Sequence, residues 1–329
     1  MTASSASAGP PAAGSRAPRV PDFFIVGHEK CGTTALYTML RRHPQVYMSD
    51  FKEPRFFSPE VRVRVHKPGG EARPQTLEAY LALFAGAAPE QRVGEASPQY
   101  IRSPTAAARI AEVQPDARII AILREPASFL RSFHLQCVQA GRESQKDLRK
   151  ALALEPLRRE GKKIPREFTS PAWVLYSEHV RYVEQLRRFH AQFPAERVLV
   201  LIYEDYLRDN EATLRSVLRF LEVDDTTPIE PIQTYQTNVA VRFTPMHPLS
   251  RKLRLARHRP ELAGPVARTV TSLAPKSLRV LWRRVAYTAP VPPDERLMLE
   301  LRQRFKPEVQ ALSDYLERDL VSLWGYDGI

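Results

Sequence analysis

At 329 residues, 43% hydrophobic and 26% charged, the chain can bury a sizeable core, which excludes the disordered and fibrous classes. No run approaches eighteen apolar residues, so there is no candidate membrane-spanning helix, and two cysteines, Cys31 and Cys137, make no disulfide framework. A formal net charge of +12 implies either a solvated basic surface or an anionic partner: a polyphosphorylated cofactor, a polyanion or an acidic membrane face.

Residues 1–20, MTASSASAGPPAAGSRAPRV, are rich in Ala, Ser, Gly and Pro and lack an apolar signal core. They read as a disordered tail, and the chain as a reduced, cytoplasmic protein. Phe23–Val26 predicts a buried strand bounded by Gly27, and Thr34–Arg42 a helix ended by His43-Pro44. A short strand at Val46–Met48 leads into the loop FKEPRFFSPE. Leu77–Phe84 predicts a helix, QRVGEASPQYIRSP a strand and turn, TAAARIAEV a helix and ARIIAIL the strongest strand. Pro126 suits the first turn of the next helix. Residues 141–170 read as a charged, irregular lid or substrate loop. A helix (EHVRYVEQLRRFHAQF), a strand (RVLVLIYEDYL) and a helix (EATLRSVLRFLEV) follow. The last helical segment is expected to break at Pro307. From Arg242 to Arg284 there are eleven Lys/Arg against one acid, Glu261, with apolar residues at helical spacing, a basic helical elaboration. Strands alternating with helices predict an α/β fold, a mostly parallel central sheet flanked by helices.

The stretch FIVGHEKCGTTALYTML joins strand, glycine-bounded loop and helix. Backbone N–H groups and the helix dipole at such a junction bind an anion. In a nucleoside-triphosphatase loop a lysine follows the second glycine. Here Thr33 stands at that position and the lysine, Lys30, lies inside the loop. Lys30 still supplies charge, and Thr33 and Thr34 add hydroxyls. The only magnesium-binding candidate after a strand is Glu204-Asp205, and no His/Cys cluster has metal spacing.

The loop resembles the 5′-phosphosulfate-binding loop of sulfotransferases that use 3′-phosphoadenosine 5′-phosphosulfate (PAPS): Lys-x-Gly-Thr-Thr, then Leu and a following His-Pro. FKEPRFFS and VGEASPQYIRSP resemble segments of the carbohydrate (heparan-sulfate-type) branch. ILREPASFLRSFH resembles its 3′-phosphate segment, and DLVSLWGYD fits the late helix. The likeness runs from about Phe23 to Trp324 and implies one sulfotransferase domain, residues 21–329, with a P-loop-NTPase-like fold. One departure is NVAVRFTPMHPLSRKL, which lacks a Lys-Gly pair where relatives close a basic loop over the 3′-phosphate; Arg242 is the candidate substitute there.

The resemblance implies that Lys30, Cys31, Gly32, Thr33, Thr34, Arg124 and Ser132 hold PAPS, Arg124 and Ser132 at its 3′-phosphate. Lys30 would stabilise charge on the leaving oxygen. Glu53 would take the acceptor's proton, best with its pKa raised in a dry pocket. The plainer reading of Glu53 is a loop carboxylate paired with Lys52 or Arg55. His134 and His28 are rival bases, His134 equally a packing residue. Lys52, Phe57, Ser97 and Tyr100 would serve the acceptor cleft: Phe56 and Phe57 pack the loop or wall the pocket, Ser97, Pro98 and Tyr100 shape it, and Glu95 is a polar contact.

Three functions compete. The first is sulfuryl transfer from PAPS, without a required metal, to a hydroxyl of a carbohydrate, lipid or secondary metabolite, the acceptor being anionic or lipid-linked if the basic arm binds it. The second is a magnesium-dependent phosphate-loop kinase. The third is a non-catalytic binder of nucleic acid or anionic lipid. The first involves no nucleic acid. It leaves the basic arm as a peripheral membrane contact or a solvated surface, and it sets no oligomeric state.

Overall fold

A computed structural model of the chain describes residues 19–61, 73–165, 168, 170–232, 240–241, 287–288 and 292–329. The N-terminal tail through residue 18 and the basic segment from 242 to 284 lie outside the described residues.

Five short strands form one parallel sheet: β1 (Phe23–Ile25), β2 (Val46–Met48), β3 (Arg92–Ala96), β4 (Arg118–Leu123) and β5 (Val198–Ile202), in the order β2-β3-β1-β4-β5. Phe23 pairs with Gly94 of β3 on one side and Arg118 of β4 on the other. Phe23, Phe24 and Ile25 are all fully buried, as are successive residues of β4. Neighbouring strand residues face opposite ways, so both sheet faces are covered. The chain leaves β1 toward β2 and β3, but leaves β4 toward β5. That reversal opens a crevice at the C-terminal ends of β1 and β4, where ligands bind in such sheets.

Among the described residues the helices are α1 (Thr33–Leu40), α2 (Leu77–Leu81), α3 (Ala106–Val113), α4 (Pro126–Gln139), α5 (Leu148–Ala153), α6 (Glu155–Arg159), α7 (Tyr182–His190), α8 (Tyr203–Arg208), α9 (Asn210–Phe220), α10 (Glu295–Tyr315) and α11 (Leu320–Leu323). Pro126 opens α4 as expected, and Glu125 caps it by accepting from the N–H groups of Ala127 and Ser128. A short antiparallel pair, β6 (Ala240–Val241) with β7 (Tyr287–Thr288), stands apart from the main sheet. No helix among the described residues is long and apolar enough to cross a membrane.

Three local expectations are corrected. Residues 141–170 are not simply irregular. They fold α5 and α6 over a fully buried ion pair, Glu143 to Arg158 at 2.7 Å, with Leu148 and Ala151 also buried. The many charges in that stretch concealed its few inward apolar positions. Pro307 does not break α10, whose Leu301, Phe305, Val309 and Leu312 bury one continuous face. The lost hydrogen bond is outweighed by that burial. The strand predicted over RVLVLIYEDYL stops at Ile202, and YEDYL opens α8.

Candidate active site

The loop after β1 remains tied to β4: the N–H groups of Val26 and His28 donate to the carbonyls of Ile120 (2.8 Å) and Ile122 (3.2 Å). A Cβ on Gly27 would lie 2.7 Å from the Ile122 nitrogen, so only glycine allows this approach. Lys30 (φ 67°) and Gly32 (φ 87°) take left-handed backbone conformations, and Cys31 between them does not. Alternation of this kind turns successive N–H groups into one concavity, an anion nest. Gly32 is the N-cap of α1 and offers no side chain to cap it. The first intrahelical bonds run from Ala35 and Leu36 to the Gly32 carbonyl. The N–H groups of Thr33 and Thr34 therefore have no backbone acceptor among the described residues.

Around this nest the charge is positive. Arg124 leaves the end of β4, donates to the Lys30 carbonyl at 3.1 Å and lies 4.6 Å over the Tyr203 ring. Glu125, its neighbour in sequence, is not its partner: it caps α4 and accepts from Tyr326. Neither Lys30 nor Arg124 has a carboxylate partner within ion-pair distance among the described residues. Burial, then the Arg124 charge, lowers the pKa of Lys30, and the same causes lower that of Arg131 one turn into α4. The three cations thus share one region. Ser132 is nearly buried on α4. Cys31 is fully buried, and its thiol is pushed far up by burial, so the loop uses it as a filler. Glu204 accepts from the Trp324 indole at 2.9 Å, and Asp205 pairs with Arg208 and Arg318.

Beside the loop lies a cavity of about 140 Å³, edged by Glu29, Glu53, Arg55, Gln99, Arg142 and Trp173. Its two carboxylates share one amide: the Gln99 side chain donates to Glu29 at 2.8 Å and to Glu53 at 3.3 Å. Glu53, with φ 60°, also accepts from Lys52 at 3.1 Å and from Arg55. Burial alone would raise its pKa, but Arg55 and Lys52 together outweigh burial and hold it well below the usual carboxylate range. The pKa is not raised as the base role would favour, and Glu53 is paired on both oxygens by Lys52 and Arg55, as in its plainer reading. Glu29 is nearly buried, with Arg102 at 3.4 Å, and Arg102 stacks 4.0 Å over Trp173.

Phe57, Ser97 and Tyr100, expected to line the cleft, lie beneath it instead. Phe57 is 2% exposed and packs edge-on against Phe24, Tyr80 and Tyr100. Tyr100 donates to Glu95 at 2.9 Å, Tyr80 does so at 2.8 Å, and the Ser97 hydroxyl accepts from the Arg55 N–H at 3.1 Å. This buried platform holds the Glu53–Arg55 turn. Burial lifts the Glu95 pKa to about 7, against the hydrogen bonds from Ser97, Tyr80 and Tyr100. The rival histidines are sealed. His28 is fully buried, joined to Gln185 at 2.8 Å, and burial lowers its pKa to about 4. His134 hydrogen-bonds the Gln145 carbonyl at 2.8 Å and packs on Tyr176.

Sequence reasoning missed Glu29, Gln99, Arg102, Arg131, Arg142 and Trp173. Glu29, Gln99, Arg102 and Arg131 sit in motifs already singled out and were within reach. Arg142 and Trp173 come from separate segments with no shared pattern.

A family profile described as a sulfotransferase domain matches residues 20–256. Human carbohydrate sulfotransferase 15 is 31% identical over 155 residues, covering 35% of this chain and 27% of its own length. Human bifunctional heparan sulfate N-deacetylase/N-sulfotransferase 3 is 25% identical over 219 residues, covering 62% and 22%. The chain thus spans about a quarter of the length of these curated relatives. The crystal structure of a sulfotransferase from Alicyclobacillus acidocaldarius superposes with a TM-score of 0.64 at 28% identity, over 93% of this chain and 99% of that one.

Proposed function

The chain belongs to the sulfotransferase family, and on that footing we propose that it moves the sulfuryl group of PAPS to a hydroxyl, releasing adenosine 3′,5′-bisphosphate. The observation that carries this reading is an open anion nest beside Lys30 and Arg124, at the rim of a cavity edged by two carboxylates.

In this reading the N–H groups of the nest and of Thr33 and Thr34 hold the 5′-phosphate, with Arg124 and Ser132 at the 3′-phosphate. The acceptor oxygen attacks sulfur in line. Its new bond forms as the bond from sulfur to the 5′-phosphate oxygen breaks. Negative charge builds on that departing oxygen, and Lys30, short of other partners, stabilises it. Lys30 and Arg124 supply the charge, so the proposed reaction calls for no metal ion.

Glu53 receives the acceptor's proton. Its low proton affinity while both oxygens are paired opposes that role, so transfer has to come late, when bonding to sulfur has made that proton acidic. One oxygen of Glu53 must then be released by Lys52 or Arg55. Phe57, Ser97 and Tyr100 act through the loop they support. The acceptor is a hydroxyl of a carbohydrate, lipid or secondary metabolite. Cytoplasmic location is in keeping with two free buried thiols, Cys31 and Cys137. The basic 242–284 segment is the candidate for peripheral membrane contact, and nucleic acid has no part in the reading.

Incubation with radiolabelled PAPS and a library of hydroxyl compounds tests the proposal. Label should pass to an acceptor, with adenosine 3′,5′-bisphosphate released in equal amount, and Glu53→Gln should slow transfer about 100-fold or more. Magnesium-dependent turnover of ATP, with none of PAPS, would establish a kinase instead.

A further inference from the structure

We propose that Arg142 anchors an anionic group of the acceptor, so that the cavity selects hydroxyl compounds carrying a carboxylate, phosphate or sulfate close to the reacting hydroxyl. The inference rests on reading the cavity as the acceptor site.

Arg142 follows Gly141 (φ 66°) at the end of α4, where its own N–H bonds the Cys137 carbonyl at 2.8 Å. Its side chain edges the cavity, yet among the described residues it makes no hydrogen bond or ion pair. Neighbouring arginines are committed: Arg55 to Glu53, Arg102 to Glu29, and Arg158 to Glu143 in the packing behind. Two carboxylates, Glu29 and Glu53, thus face four cations, Lys52, Arg55, Arg102 and Arg142. Lys52 and Arg55 share Glu53 and Arg102 holds Glu29, so Arg142 is the one of the four with no carboxylate partner among the described residues. Burial, then the like charge of Arg55, opposes its protonated form. An anion beside it relieves both.

Three residues that edge the cavity also carry buried polar atoms without a partner. Arg55 Nε, Gln99 Oε1 and Gln136 Oε1 are buried without a hydrogen-bond partner around the same space. Arg55 and Gln99 are themselves 6% and 1% exposed, so this is a built polar site and not a surface cluster. A guanidinium fork matches the two oxygens of an oxyacid, which gives direction as well as charge. The space is about 140 Å³, so the anchored group and the reacting hydroxyl have to belong to one small moiety.

Calorimetry on the full chain saturated with adenosine 3′,5′-bisphosphate tests this, using methyl glucuronide and methyl glucoside as probes that differ chiefly in one carboxylate. The glucuronide should bind about tenfold or more tightly than the glucoside, the usual gain from a charge-assisted pair. Arg142→Gln should erase that preference, and Arg142→Lys should retain part of it. Affinity for adenosine 3′,5′-bisphosphate should stay unchanged in both variants. Equal binding of the two probes to the native chain, or binding of neither, overturns the inference while leaving the donor reading intact. Failure of adenosine 3′,5′-bisphosphate itself to bind would overturn the donor reading instead.

Discussion

On the Lys30 side of the β1–α1 loop, backbone N–H groups and two cations stand without carboxylate partners; on the Glu29 side, both carboxylates are held by arginines, a lysine and a shared glutamine. The first arrangement awaits a polyanion. The second is a polar chamber in which four cations face two carboxylates and Arg142 alone has no carboxylate partner among the described residues. The difference follows from what each side is asked to hold. A nucleotide brings its own charge, whereas an acceptor hydroxyl is neutral and must be oriented by fixed dipoles and paired ions.

The contrast can be broken first on the acceptor side. Arg158→Ala strands the fully buried Glu143, which accepts from Arg158 and Tyr176 behind the cavity. Denaturant unfolding should show a loss of about 3–5 kcal/mol, the usual effect of removing one member of a buried pair. A loss below about 1 kcal/mol would mean that the pair is solvated and not part of the packing.

On the donor side Lys30→Ala removes charge at the leaving group. Transfer should fall about 100- to 1000-fold, as for a lost oxyanion donor, with little change in stability. Comparable turnover by the variant would remove Lys30 from the chemistry.

The platform under Glu53 gives a pH signature. The Glu95 pKa rises from 4.5 to about 7 on folding. The folded chain therefore holds this proton more tightly. The favourable contribution is complete below the unfolded pKa and is lost as pH rises toward 7. The span corresponds to about 3 kcal/mol. His28, lowered from 6.5 to about 4, acts in the opposite sense, since stability rises with pH across its window. Subtracting the stability profile of Glu95→Gln from that of the native chain isolates the first effect. A flat difference from pH 4 to 8 would show that Glu95 titrates normally.

The smallest effect is expected at Gly32. Gly32→Ala places a Cβ at φ 87°, 3.4 Å from Tyr203 and Tyr206, and should cost about 1–2 kcal/mol of stability. It should also weaken adenosine 3′,5′-bisphosphate binding by deforming the nest. Unchanged binding would separate the nest from the nucleotide.

The donor side was legible because its parts are contiguous. Gly27, Lys30, Gly32, Thr33 and Thr34 lie within one loop, and Arg124 ends the strongest strand. The parallel sheet followed from the same alternation of apolar runs and helices. The acceptor side was legible only in part: Lys52 and Glu53 stand in a motif, but Glu29, Gln99, Arg142 and Trp173 converge from four segments, and no spacing links them. Phe57 and Tyr100 were read as cleft residues because aromatic side chains near a motif look alike whether they face a ligand or the core. At Glu53 the neighbouring Lys52 and Arg55 make the pairing legible in the sequence, and the structure shows both. At Pro307 a local rule lost to the buried face of a long helix.

The most direct test of the account is a calorimetric titration of the purified chain with adenosine 3′,5′-bisphosphate and, separately, ADP, both without magnesium. Tight binding of the bisphosphate, weak binding of ADP and loss of the former in Lys30→Ala are the predicted result. A preference for ADP, or bisphosphate binding indifferent to Lys30, would contradict it.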